Sequence, residues 1–111
     1  MLSKKLIADV AQFIEGQVVK AEAIIGGEAF EIPIMKTEID RDILKIYTNT
    51  SEQDGLITDI QIKNKAGEVI ISKATSIQKD ASYSVVSSFY IRITEEEVDK
   101  PLNIFEQGGK E

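Results

Sequence analysis

The chain has 111 residues, 13 of them basic and 19 acidic, for a formal charge of −6. That acidic surplus argues against nucleic acid, whose phosphates must be neutralised by Lys and Arg, and against attachment to anionic lipid. Cys and His are both absent, which excludes disulfides, thiolate chemistry, Ser-His-Asp and Cys-His arrangements, and the usual zinc sites.

The length fits one domain with a thin core. Ser3 is placed to cap a helix from Ser3 to Glu15, with Leu6, Val10, Phe13 and Ile14 on one apolar face. Gly16 is positioned to end it in a left-handed conformation. The apolar stripe needs a cover, either the domain's own sheet or another copy of the chain. No run reaches the ~20 apolar residues of a membrane span, and the N-terminus lacks the apolar stretch of a signal peptide.

After Gly16 the period changes to two. Isoleucine dominates the apolar residues, and β-branched side chains suit pleated strands. A strand through Val19 to Ile25 meets Gly26-Gly27, a two-residue hairpin turn. The return strand passes Phe30, Ile32 and Ile34 with Pro33 between them, which marks an edge or a bulge because Pro cannot donate to a ladder. Asp40-Arg41-Asp42 is a polar break before a strand over Ile43–Thr48, and Asn49 to Gly55 is a loop by composition. Leu56 to Lys63 and Glu68 to Lys73 form a second hairpin around Asn64-Lys65-Ala66-Gly67, and Ala74 to Ala81 is ambiguous. Ser82 to Thr94 is the longest strand, with Tyr83, Val85, Ser87, Phe89, Ile91 and Ile93 on one face, and its alternation places it inside the sheet. The class is α+β, mainly β: a helix and an antiparallel meander or small sandwich of six to seven strands over 1–94, then an acidic, flexible tail over 95–111.

No catalytic residue, cofactor site or metal site is legible. Gly26-Gly27 joins strand to strand, so a dinucleotide loop fails on context. Asn49–Gly55 superficially resembles a calcium loop, but its glycine is one place late and Ile60 stands where a bidentate Glu is needed. Asp40 and Asp42 flank a turn and read as solvated carboxylates. Glu95-Glu96-Glu97 reads as a solvated strand end. No lysine sits inside an apolar run. The surfaces that want a partner are the helix stripe (Leu6, Val10, Phe13, Ile14) and the Pro33 edge (Phe30, Ile32, Pro33, Ile34).

The order of features carries a resemblance: an amphipathic helix, a glycine-turn hairpin, Glu31-Ile32-Pro33-Ile34-Met35-Lys36, Gly55-Leu56-Ile57-Thr58-Asp59-Ile60-Gln61-Ile62, then Gly67-Glu68-Val69-Ile70. Over roughly residues 3 to 94 it resembles the small β-rich tail, baseplate or fibre-attachment proteins of phages of Gram-positive bacteria and phage-derived tail particles. The resemblance implies a non-enzymatic virion structural protein that assembles as a homo-oligomer with other tail or baseplate proteins. It implies a place in the host cytoplasm during assembly and then in the particle, with no nucleic acid or membrane partner. It transfers no ligand residue. The alternative is a small cytoplasmic partner- or ligand-binding β-module.

Overall fold

In the computed structural model, which describes residues 1–95, one helix precedes seven antiparallel strands in two sheets. The mainly β class expected from the sequence is the observed one. The tail expected over 95–111 lies, beyond Glu95, outside the described residues.

Helix α1 runs from Lys4 to Gln17. Ser3 Oγ accepts the Leu6 N–H at 3.0 Å, satisfying one of the donors that a first turn leaves open. Gly16 does not end the helix. It lies within it, and the chain leaves through Val18, whose φ is −83° and whose N–H donates to the Glu15 carbonyl at 3.1 Å. The buried face also differs from the expected one. Ala11 is fully buried and Ile14 and Val18 pack on the core, whereas Leu6 and Phe13 are 46% and 68% exposed. Two stripes compete on this helix, and Ile7, Ala11, Ile14 and Val18 also recur at helical spacing. The small Ala11 side chain lets the helix backbone approach the strands Ile34–Asp40 and Ile43–Thr50, which a phenyl ring at that position would prevent.

The strands are β1 Lys20–Ile25, β2 Glu28–Ile32, β3 Ile34–Asp40, β4 Ile43–Thr50, β5 Gly55–Lys63, β6 Val69–Lys79 and β7 Val85–Arg92. One sheet has the order β2-β1-β5-β6, the other β3-β4-β7. Gly26 and Gly27, at φ 60° and 83°, close β1 on β2 with Ile25 opposite Glu28. Positive φ at both positions is what a tight hairpin matched to strand twist requires.

Pro33 separates two strands that the sequence suggested were one. β2 is an outer strand of the first sheet and β3 an outer strand of the second, so the chain changes sheets at Pro33. The Pro33 carbonyl accepts the Asn49 N–H at 3.2 Å, and the missing Pro N–H leaves no ladder donor unpaired. Ala74 to Lys79 resolves as the continuation of β6, making that strand the longest.

β7 is an outer strand, contrary to the expectation from its alternation. Alternation records one buried face, which an edge strand of a half-buried sheet has as well. Within β7 the expected alternation holds, with Ser87 and Phe89 buried and Val86 and Tyr90 exposed. The strand is shorter than the expected Ser82–Thr94, and Tyr83, expected on the buried face, precedes it and is 46% exposed. The core is one cluster shared by the two sheets. Ala21, Ala23, Ile25, Ile32, Ile57, Ile60 and Ile62 come from the first, and Leu44, Ile46 and Phe89 from the second. Burying an aliphatic side chain of this size contributes about 1.5–3 kcal/mol.

Candidate functional site: a cleft between the helix start and the β3–β4 turn

Where the first turns of α1 cross the end of β3, the surface folds inward into a cleft of about 510 Å³ lined by Lys4, Ile7, Ala8, Ile39, Arg41 and Asp42. Ile7, Ala8 and Ile39 form an apolar floor, and Lys4, Arg41 and Asp42 supply the polar rim. The turn is two residues long, with Asp40 opposite Ile43. Arg41 takes φ 59°, a left-handed conformation that is uncommon for a residue with a side chain. The turn is anchored where Ile93 N–H donates to the Asp42 carbonyl at 2.8 Å.

The electrostatics of this corner run against the acidic balance of the whole chain. The first turn of α1 contains no acidic residue and begins with Lys4 and Lys5, at the end where backbone N–H groups already present partial positive charge. Lys5 is paired with Asp9 at 2.8 Å. Arg41 Nε lies 3.6 Å from Asp40 Oδ1 with its side chain 90% exposed. Asp40 is shared with Lys45 at 3.5 Å, so the Arg41 guanidinium keeps donors directed to solvent. Asp42 lies 3.9 Å from Arg92 Nε. Lys4 and Arg41 thus stand with the Asp42 carboxylate around an apolar floor, a mixed rim with two cationic side chains to one anionic. Such a rim suits the anionic end of a small molecule.

A second polar surface lies on the outer face of the β3-β4-β7 sheet. Lys36 Nζ sits 5.3 Å from the Tyr47 ring centroid and Lys45 Nζ 5.6 Å from that of Tyr90. The Tyr47 phenol is pushed above its ordinary pKa, first by its hydrogen bond with Tyr90 and then by desolvation. Lys36 and Lys45 each have a carboxylate neighbour, Glu38 at 3.9 Å and Asp40 at 3.5 Å. The two lysines of this face are thus each matched by a carboxylate.

The residues expected to form a partner surface differ widely in exposure. Leu6 and Phe13 face solvent, as does Pro33, and Val10 is half-buried. Ile32 is buried, and Ile14, Phe30 and Ile34 pack against the core. Among the described residues no group of three or more His, Cys, Asp or Glu side chains is placed to hold a metal ion. No helix among them is long and apolar enough to cross a membrane. Sequence reasoning missed the cleft, because Arg41 read as part of a solvated turn and Lys4 as the polar side of a helix.

Comparison with known proteins redirects the functional reading. The chain is 32% identical over 94 residues to the phosphoribosylformylglycinamidine cyclo-ligase of Streptococcus agalactiae, an alignment covering 85% of this chain and 27% of that protein. It is 33% identical over 94 residues to the protein of the same name from Streptococcus thermophilus, with the same coverage. With that of Geobacillus thermodenitrificans it shares 29% over 104 residues, covering 91% of this chain and 30% of the relative. The chain thus spans less than a third of the length of these relatives. No family model matches the sequence, and no solved structure matches it.

These similarities overturn the resemblance to phage tail, baseplate and fibre-attachment proteins, and with it the virion structural function and the tail-protein and homo-oligomer partners it implied. They also overturn the non-enzymatic expectation, since the relatives are named as an enzyme, and lend nothing to the alternative of a partner- or ligand-binding β-module. The tail resemblance rested on the order of strands and turns and held no side chain with a chemical role. Alternating strands and glycine turns are what any small antiparallel domain needs, so that order carries fold and not function.

Proposed function

We propose that this chain serves ring-closing ligase chemistry of the kind named for its relatives, as a module that holds the phosphoribosyl end of the substrate. The observation that carries this reading is the similarity along 94 residues to phosphoribosylformylglycinamidine cyclo-ligases. The cleft supports it chemically. A phosphoribosyl group joins a dianionic phosphate to a sugar ring, and the cleft sets Lys4 and Arg41 over the floor of Ile7, Ala8 and Ile39. Arg41 offers a planar fork of donors to phosphate oxygens, and Lys4 adds a point charge. The chain spans 27–30% of the relatives' length, and the reading concerns binding of the phosphoribosyl group rather than ring closure itself.

The test is titration of the isotopically labelled chain with ribose 5-phosphate, followed by amide shifts, with ribose and inorganic phosphate as controls. Saturable shifts confined to the Lys4–Ala8 turn and to Ile39–Asp42, stronger for ribose 5-phosphate than for either control, are expected. Arg41→Glu combined with Lys4→Glu should abolish them. Shifts absent at millimolar ligand, or unchanged in the double variant, sink the reading.

A further inference from the structure

The largest fully buried side chain among the described residues is a lysine. Lys79, the last residue of β6, is 1% exposed. Its ammonium donates to three backbone carbonyls, those of Ser51 at 3.1 Å, Gln53 at 2.8 Å and Asp80 at 2.9 Å. The Tyr83 ring stands 5.8 Å from the same nitrogen. An ammonium has three donors, and all three are used. Its partners are neutral carbonyls; the Asp80 carboxylate is turned instead to Ser82, accepting that residue's N–H at 2.8 Å and its hydroxyl.

Two separate segments meet at this point. Ser51 and Gln53 belong to the loop joining β4 to β5, and Asp80 opens the turn after β6. Convergent carbonyl oxygens repel one another unless a cation lies between them, and rings of such oxygens elsewhere replace an ion's hydration shell. A buried charge, for its part, is tolerated only when its hydrogen-bonding capacity is met. Cage and cation therefore stabilise each other, and the loop between β4 and β5 takes its shape from the ion it surrounds.

We propose that the carbonyls of Ser51, Gln53 and Asp80, faced by the Tyr83 ring, are a built site for a primary ammonium ion, filled in the native chain by Lys79 and open to a free alkylammonium when that side chain is cut back. The site lies apart from the cleft of Lys4 and Arg41 and owes nothing to the reading of that cleft. Lys79→Ala removes the atoms from Cγ to Nζ, so n-propylammonium is the matching free ion.

The experiment compares melting temperatures of Lys79→Ala in equal concentrations of n-propylammonium chloride and sodium chloride, and in 1-propanol. Propylammonium should raise the melting temperature of this variant saturably, by mass action on the folded state, and the other two should not. Wild type and Lys79→Met, whose side chains fill the space, should not distinguish the additives. Should Lys79→Ala be unfolded in sodium chloride, recovery of its folded spectrum in propylammonium supports the site. An equal response to propylammonium and sodium, a rise for Lys79→Met matching that of the alanine variant, or a chain that stays unfolded in both salts overturns it.

Discussion

Thr37 Oγ1 donates a 2.5 Å hydrogen bond to Glu15 Oε2, joining the last turn of α1 to β3. Glu15 stands near the end of the helix where an acidic side chain faces the negative end of the macrodipole, and the last turn holds no basic residue to offset it. The Thr37 hydroxyl supplies that compensation from another element.

Thr37→Val should therefore cost about 1.5–3 kcal/mol, the range for a hydrogen bond to a charged group. Hydrogen exchange of the α1 amides should accelerate while that of β4 and β5 stays slow. Uniform acceleration across all elements would show that the helix and the sheets open together and that this bond is not a local tether.

Gly16→Ala should raise stability by roughly 0.5–1 kcal/mol, the helix-interior preference for Ala over Gly. A Cβ there meets nothing within 4 Å, and the residue is helical. Were Gly16 a left-handed cap, the same change would lower stability, so the sign of the shift in denaturation midpoint decides the question.

Gly55→Ala should do the opposite. Gly55 opens β5 at φ 128°, and a Cβ would approach Ile25 Cγ2 to 2.7 Å. Backbone strain of this kind costs on the order of 1–3 kcal/mol before the clash is counted. Ile25 itself is buried, and the β1–β5 register already shifts between Ile24 and Ile25, so the neighbour has little room to yield. Urea denaturation reads the loss directly. A change below about 0.5 kcal/mol, the range of neutral surface substitutions, would contradict it.

Glu22 gives the protein a pH dependence with a definite sign. Lys63 Nζ lies 2.8 Å from its carboxylate and Lys20 Nζ 3.4 Å. The Lys63 hydrogen bond, opposed in part by desolvation, holds the carboxyl below its ordinary value. The folded state then binds fewer protons than the unfolded one, so the contribution is complete above the ordinary glutamate pKa of about 4.3 and is lost as pH falls through the lower folded value. Glu22→Gln should be less stable than wild type at pH 7, and the gap should narrow steadily below pH ~4.3 in acid titrations followed by circular dichroism. A gap independent of pH would assign the effect to packing.

Much of this fold was legible because its turns are local. Gly26-Gly27, Asp40–Asp42 and Asn64–Gly67 each mark the end of one strand and the start of the next within a few residues, and each stands where the sequence put it. The buried face of β7 was equally plain from Phe89 and its neighbours two residues away. What the sequence left obscure depends on contacts between distant segments. Ala11 carries too little apolar surface to announce a core position, and Leu6 and Phe13 announced one they do not occupy. Lys79 stands in a polar stretch, and only the carbonyls of Ser51 and Gln53, more than twenty residues earlier, explain its burial. The cleft rim pairs Lys4 with Arg41, a juxtaposition set by how α1 lies across β3.

The change of sheets at Pro33 also dictates an order of assembly. One sheet draws β1, β2, β5 and β6 and the other β3, β4 and β7, so the two are interleaved along the chain. As the polypeptide emerges during synthesis, the hairpins β1–β2 and β3–β4 can each form early, but neither sheet is complete. The β4–β7 pairing, with Ile46 opposite Phe89, must wait until Val85–Arg92 has left the ribosome. Until then Leu44 and Ile46 lack their final cover, and closure of the second sheet joins segments about forty residues apart. Pairings of that separation are slow to find because loop entropy is lost before contacts compensate it, and the nascent chain is most prone to aggregate in that interval.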